Sequence, residues 1–170
     1  PGTLEVSASI DGVGKVYDWI RSNNFEHLIK TMETYYKETG LKININVTIS
    51  LYNFFHLDKI FDYFKNKKYV SCINFHKVTT NPVYTNPKLL PEEIFNSQIE
   101  KYKKLFKDVN EKKYNAWILC EQLLKEKHRE EHFKKGLPIL FFKEMEKMNN
   151  HRGFDLCDHI PELKEWRDLQ

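Results

Sequence analysis

The sequence predicts an α/β protein, a three-stranded parallel β-α-β-α-β unit followed by a helical C-terminal region. Three observations carry this. Two stretches alternate strictly between apolar and polar residues, as half-buried strands do. The residues between them suffice for a crossover helix, which makes neighbouring strands parallel. After about residue 80 the pattern turns to proline-rich loop and then to helix.

The first strand reads Leu4-Glu5-Val6-Ser7-Ala8-Ser9-Ile10-Asp11-Gly12, with Leu4, Val6, Ala8 and Ile10 on one face. Gly12 and Gly14 permit a tight turn out of it, but a lone GxG is a weak phosphate signal, and Tyr17 stands where a dinucleotide fingerprint needs its third glycine. Val16–Arg21 is a short helical turn. Asn24 is the N-cap of a helix to Thr39, with Phe25, Leu28, Ile29 and Met32 inward and Gly40 as its left-handed stop. The second strand reads Ile43 to Ser50, with Ile43, Ile45, Val47 and Ile49 opposite Asn44, Asn46, Thr48 and Ser50. A helix over about 54–65 follows, with Phe54, Leu57, Ile60, Phe61 and Phe64 as its apolar face. The third strand, about 69–78, puts Cys72, Asn74 and His76 on one face and Ile73 and Phe75 on the other.

Parallel strands are ordinarily apolar on both faces; these carry hydroxyls, amides and a carboxylate on one. Two readings fit: an antiparallel sheet with one wet face, or a half-barrel whose interior holds a polar ligand. Thr79–Pro91, with Pro82, Pro87 and Pro91, is an ordered loop or lid. Beyond it lie helices over about 91–109, 111–135 and 138–149, a break at 150–153, and a last helix over about 161–169. The natural subdivision is 1–80 for the α/β unit and 81–170 for the loop and the helices packed on it.

The 170 residues are 41% hydrophobic, 14% aromatic and 30% charged, with a net charge of +3. This supports a real core and a richly charged surface. Lysines interleaved with acids argue against a nucleic-acid protein. Three scattered cysteines, Cys72, Cys120 and Cys157, argue against a disulfide framework and make a reduced, cytoplasmic setting the default. No apolar run approaches the ~18 residues of a membrane span. Pro1-Gly2 opens straight into a strand, as in a chain cut from something longer.

Ligands of parallel α/β sheets bind at the carboxyl ends of the strands. Those ends carry Ser9, Asp11, Thr48, Ser50 and Asn53, and Arg21 lies one short turn beyond the first. An arginine fork there suits a carboxylate. The structural alternative is that Asp11 caps the next turn and Arg21 makes a surface pair. His76 and Asn74, near the end of the third strand, are candidate substrate contacts; His27 and His56 belong on solvated helix faces. His128-Arg129-Glu130-Glu131-His132 matches the H-x-x-E-H pattern of a zinc hydrolase helix, but its Lys- and Glu-rich surroundings and the lack of a third ligand count against a metal site.

Val6-Ser7-Ala8-Ser9-Ile10-Asp11-Gly12, Arg21, Asn24-Phe25 and Val47-Thr48-Ile49-Ser50-Leu51-Tyr52-Asn53, in that order, resemble the second half of a radical SAM enzyme. They are most similar to the branch with short twitch- or SPASM-type extensions, including small phage-encoded members. Gly153-Phe154-Asp155-Leu156 and Ile160-Pro161-Glu162-Leu163 resemble the tail of those proteins. The resemblance implies half of a partial TIM-like barrel and S-adenosylmethionine bound across its top. Ser9 and Arg21 would contact the methionine or ribose part, Ser50 and Asn53 would lie near it, and Asp11 would fix the loop. The family's CxxxCxxC loop, which holds a [4Fe–4S] cluster through thiolates, has no counterpart here. Hence this chain is expected to be the C-terminal portion of such an enzyme, inactive in isolation. Its partner is an N-terminal half-barrel, another chain, or a second copy paired through the exposed sheet edge. The competing reading is a non-catalytic interaction module that uses that edge and the helices.

Overall fold

Ile43, Ile45, Val47 and Ile49 are all buried, and they lie on the central strand of the sheet. The computed structural model describes residues 4–77, 82–107 and 136–169. Within them the chain forms an α/β fold with a three-stranded parallel sheet and six helices. Strand β1 is Val6–Ser9, β2 is Ile43–Ile49 and β3 is Val70–Lys77. Their spatial order follows the chain, with Val6 opposite Ile43 and Ile45 opposite Ile73. Both pairs are parallel, so the antiparallel alternative does not hold.

Helices α1 (Lys15–Arg21) and α2 (Phe25–Thr39) connect β1 to β2. The Asn24 side chain accepts from the His27 N–H, and Gly40, at φ 70°, closes α2 in the left-handed conformation that glycine adopts without steric cost. Between β2 and β3 a 3₁₀ turn, Phe54–His56, leads into α3 (Leu57–Phe64). The expected apolar face of this segment is fully inside. His56 is not on a solvated face as expected: it is only 6% exposed. It sits between Phe55 and Leu57 in the turn that enters the core, and that setting outweighs the residue type.

Strand β1 is shorter than its nine-residue alternating stretch. Leu4 is 69% exposed and Val6 and Ala8 are half-buried, because β1 is an edge strand among the described residues. The loop after β3 is not wholly irregular: 3₁₀ turns at Val83–Thr85 and Pro87–Leu89 sit between its prolines.

Helix α4 (Glu92–Phe106) begins after Pro91 with two glutamates at its positive end. Its Phe95 stacks on Phe54, and its Phe106 meets Phe61 of α3 and Phe75 of β3. Tyr102 donates its hydroxyl to the Phe54 carbonyl. Helix α5 (Leu137–Arg152) continues past the expected break and stops at Gly153, φ 77°. Helix α6 is Pro161–Asp168. An aromatic series runs from α1 to α6: Trp19 against Tyr52, Tyr52 stacked on Phe141, Phe141 against Trp166. The expected helix over 111–135, Cys120 and the His128–His132 motif lie outside the described residues.

Candidate functional site

Helix α3 packs on β3, and Phe106 of α4 meets Phe75 on the apolar side of β3; the other side of the sheet is polar. Its centre is a ladder of side chains across strands. Asn44 lies opposite Cys72, Asn46 opposite Asn74 and Thr48 opposite His76. The Cys72 thiol donates to Asn44 Oδ1 at 3.1 Å, and Asn74 Nδ2 donates to Asn46 Oδ1 at 3.2 Å. Ser7, Ser9, Thr48 and His76 are exposed beside it. The strand alternation places all of these on one surface.

At the carboxyl ends of β1 and β2 this surface meets a tight polar knot. Asp11 is buried; its Oδ1 accepts from the Thr48 N–H at 2.7 Å and its Oδ2 from Arg21 Nη2 at 2.6 Å. Asn53 is fully buried. Its Nδ2 donates to the carbonyls of Asp11 and Thr48, both at 2.9 Å, and its Oδ1 accepts from the Ser50 N–H at 2.8 Å. Asp11 therefore does not cap its own turn; it reaches across to the next strand. Gly12 follows because nothing larger fits: a Cβ there would come within 2.7 Å of the Tyr17 nitrogen and 2.8 Å of Val16 Cγ1.

Two sequence-predicted residues, Asp11 and Asn53, thus spend their polar atoms on the protein. Ser9 and Ser50 remain at the surface, exposed and half-buried respectively. Arg21 is partly exposed, and its guanidinium has further N–H groups beyond the one given to Asp11. Burial pushes the Asp11 carboxyl up from its ordinary range, even though the Thr48 N–H and the Arg21 cation pull it down. The Asn74 and His76 candidates lie on β3, on the same polar face.

His56 belongs to this neighbourhood and was missed. Burial lowers its imidazole to about 4, and the Val13 backbone opposes that shift. Its Nε2 has no hydrogen-bond partner. The signal was its position in an apolar Phe-Phe-His-Leu run directly after a strand.

A separate cleft of about 780 Å³ lies among α5, α6 and the Gly153–Asp155 turn, lined by Phe142, Lys143, Met145, Phe154 and Arg167 among others. Two of its polar residues, Asp155 and Arg167, are bonded to each other at 3.1 Å. It lacks the strand-end placement of the rim.

Two cysteines lie among the described residues, Cys72 and Cys157. Cys72 is bonded within the sheet face, and Cys157 is buried with its thiol pushed up to about 12 by burial. Among the described residues no three His, Cys, Asp or Glu side chains come together as a metal site. No helix among them is long and apolar enough to cross a membrane. Comparison with known proteins finds no matching family model, no matching curated protein and no matching solved structure.

Proposed function

We propose that this chain is the C-terminal portion of a radical SAM enzyme, supplying contacts to S-adenosylmethionine and substrate but not the cluster that cleaves the cofactor. The observation that carries the reading is one rim. Ser9 and Ser50 stand at the carboxyl ends of adjacent parallel strands beside a polar sheet face, and Arg21 at the end of α1 is joined to the same rim through Asp11. The Ser9 and Ser50 hydroxyls suit ribose or amine groups, and the spare N–H groups of Arg21 suit a carboxylate. Asp11 holds Arg21 in place, and Asn53 holds the two strand ends together; both are positioning residues in this reading. Asn74 and His76, further along the polar face, are the substrate-side candidates.

The cluster, with its three thiolates, comes from another part of the active unit. That part is an N-terminal half-barrel that pairs with the outer edge of β1. Unpaired strand edges invite such pairing, and the exposed Leu4 leads into this one.

Calorimetric titration with S-adenosylmethionine tests the reading. Weak, saturable binding is expected, and Ser9→Ala and Arg21→Ala should each abolish it while leaving the folded signal intact. Assembly of a four-iron cluster on this chain alone under anaerobic conditions would overturn the assignment of the missing half. A second reading, a non-catalytic interaction module, draws on the polar sheet face and the β1 edge. It predicts no cofactor binding at all.

A further inference from the structure

The cleft of about 780 Å³ among α5, α6 and the Gly153–Asp155 turn has the size of a small-molecule site. Its aromatic walls are held by their neighbours. Phe142 packs on the Trp166 ring at 4.7 Å between centroids. Phe154 meets the His159 ring edge-on at 5.7 Å, and Lys15 Nζ lies 5.6 Å from its centre. Met145 adds buried aliphatic surface to the same lining. Walls fixed in this way need little reordering to receive a ligand, which removes part of the cost of binding.

The polar lining is unevenly satisfied. Asp155 has its oxygens engaged: Oδ1 accepts from the Asn149 amide and the Cys157 N–H, and Oδ2 accepts from Arg167 Nη1. The Asn149 carbonyl accepts twice, from Trp19 Nε1 and the Leu156 N–H. The donors are not used up. Asn149 Nδ2 keeps one N–H, and the Arg167 guanidinium has N–H groups beyond the one given to Asp155. At 3.7 Å its Nε is too far from Asp168 for a hydrogen bond. Lys143, exposed on α5, adds an ammonium without an ion pair among the described residues. Glu146 also lines the cleft, and its charge disfavours a polyanion such as phosphate. Spare donors around a braced guanidinium fork, beside aromatic walls, match one planar, singly charged acceptor. A carboxylate is that group.

We propose that this cleft binds a small carboxylic acid with an apolar, ring-sized body. Arg167 takes the carboxylate on its fork, Asn149 and Lys143 supply further donors, and Phe142, Met145 and Phe154 enclose the body. Asp155 is the positioning residue that braces Arg167. The site lies on the C-terminal helices, separate from the Ser9–Arg21–Ser50 rim, and does not rest on the cofactor reading.

The test uses the full chain and phenylacetate, by calorimetric titration at constant ionic strength and by NMR of isotope-labelled methionine methyls. Saturable binding is expected. The Met145 methyl signal, assigned through Met145→Leu, should move, and the Met32 signal on α2 should stay. Phenylacetamide keeps the ring and loses the charge, so it should bind about tenfold more weakly. Acetate keeps the charge and loses the ring, and should not saturate. Arg167→Gln should abolish phenylacetate binding, and Lys143→Gln should weaken it by about threefold. If Arg167→Gln fails to fold, Lys143→Gln at its exposed position and the acid–amide comparison on the wild type decide. The proposal is overturned by the absence of saturable phenylacetate binding, by equal affinity for acid and amide, or by a Met145 signal that does not move. A folded Arg167→Gln that binds phenylacetate as the wild type does overturns it as well, and leaves the Asp155–Arg167 pair as a joint between the turn and α6.

Discussion

Two polar knots hold this molecule, and each is built from one aspartate, one arginine and one asparagine. At the sheet rim, Asp11 meets Arg21, and Asn53 clamps the ends of β1 and β2. In the C-terminal helices, Asp155 meets Arg167, and Asn149 clamps α5 to α1. Asn149 Oδ1 accepts from Trp19 Nε1 at 2.8 Å and from the Leu156 N–H at 3.2 Å, while its Nδ2 donates to Asp155 at 2.8 Å. The two carboxylates nevertheless go opposite ways. Burial raises Asp11 and its donors do not compensate. Burial also acts on Asp155, but the Cys157 N–H, Arg167 and Asn149 outweigh it and hold that carboxyl below its ordinary range. The difference lies in burial and in the number of donors: Asp11 is buried with two partners, Thr48 N–H and Arg21, while the less buried Asp155 has three, Cys157 N–H, Asn149 and Arg167. Helix α1 joins both, with Trp19 turned to one and Arg21 to the other.

The largest effect should come from Asn53→Ala. It leaves the Ser50 N–H and the carbonyls of Asp11 and Thr48 without their partner inside the protein. Each such buried group costs about 1–3 kcal/mol, so a loss of roughly 4 kcal/mol is expected in urea unfolding. Asn149→Ala, in a partly buried knot that water can reach, should cost about half as much. Equal losses would erase the distinction between the knots.

His56 gives the next effect. With its imidazole lowered to about 4 from 6.5 by burial, the unfolded chain binds a proton that the folded chain refuses. The stability it contributes is complete above pH 6.5 and is lost as pH falls toward 4, on the order of 3 kcal/mol in all. Unfolding measured from pH 7 to pH 4 should show this slope, and His56→Gln should flatten it. A wild-type stability independent of pH in that window would place His56 in contact with water.

Much of the frame was legible in the sequence, for identifiable reasons. Ile43 to Ser50 alternates without exception, and Asn24 and Gly40 carry the chemistry of a helix start and stop, so β2 and α2 were plain. Arg21 and Asp11 were both marked, yet their pairing was not. It joins residues on two elements through a tertiary approach that no local period encodes. Asn53 looked like a ligand contact because a polar residue after a strand usually faces outward; here the chain folds over it and turns its amide to backbone. Burial of His56 was hidden by residue type. The Asn149–Asp155–Arg167 knot had no local signal beyond the Gly153 stop, since its function is to join α5, α6 and α1. The short β1 follows from its edge position, which alternation does not reveal.

The two aspartates provide a finer comparison by titration. Asp155, with a lowered folded pKa, contributes stability above 3.8 that disappears as pH falls below it. Asp11, with a raised folded pKa, does the reverse: its contribution is present below 3.8 and lost as pH rises through the raised value. Asp155→Asn should therefore lower stability at neutral pH by about 1–2 kcal/mol and flatten the acid limb. Asp11→Asn keeps an oxygen for the Thr48 N–H and should steepen the decline on acidification just above pH 3.8. Denaturant midpoints taken every half pH unit between 3 and 6 would resolve the two signs.

The smallest effect is expected from Arg21→Lys, and it sharpens the comparison most. Arg21 meets Asp11 through one nitrogen, so an ammonium can replace that contact, and a side chain this exposed should change stability by about 0.5 kcal/mol or less. Arg167 uses its fork: Nη1 lies 3.1 Å from Asp155 and Nε 3.7 Å from Asp168. Arg167→Lys should therefore cost more in thermal unfolding than Arg21→Lys. Titration with S-adenosylmethionine should give the opposite order. The planar guanidinium that can hold Asp11 and a ligand carboxylate together is lost only in Arg21→Lys, so cofactor affinity should fall there and stay unchanged in Arg167→Lys. If Arg21→Lys binds the cofactor as the wild type does, Arg21 is only the brace of Asp11, and the rim loses its one charged contact to the ligand.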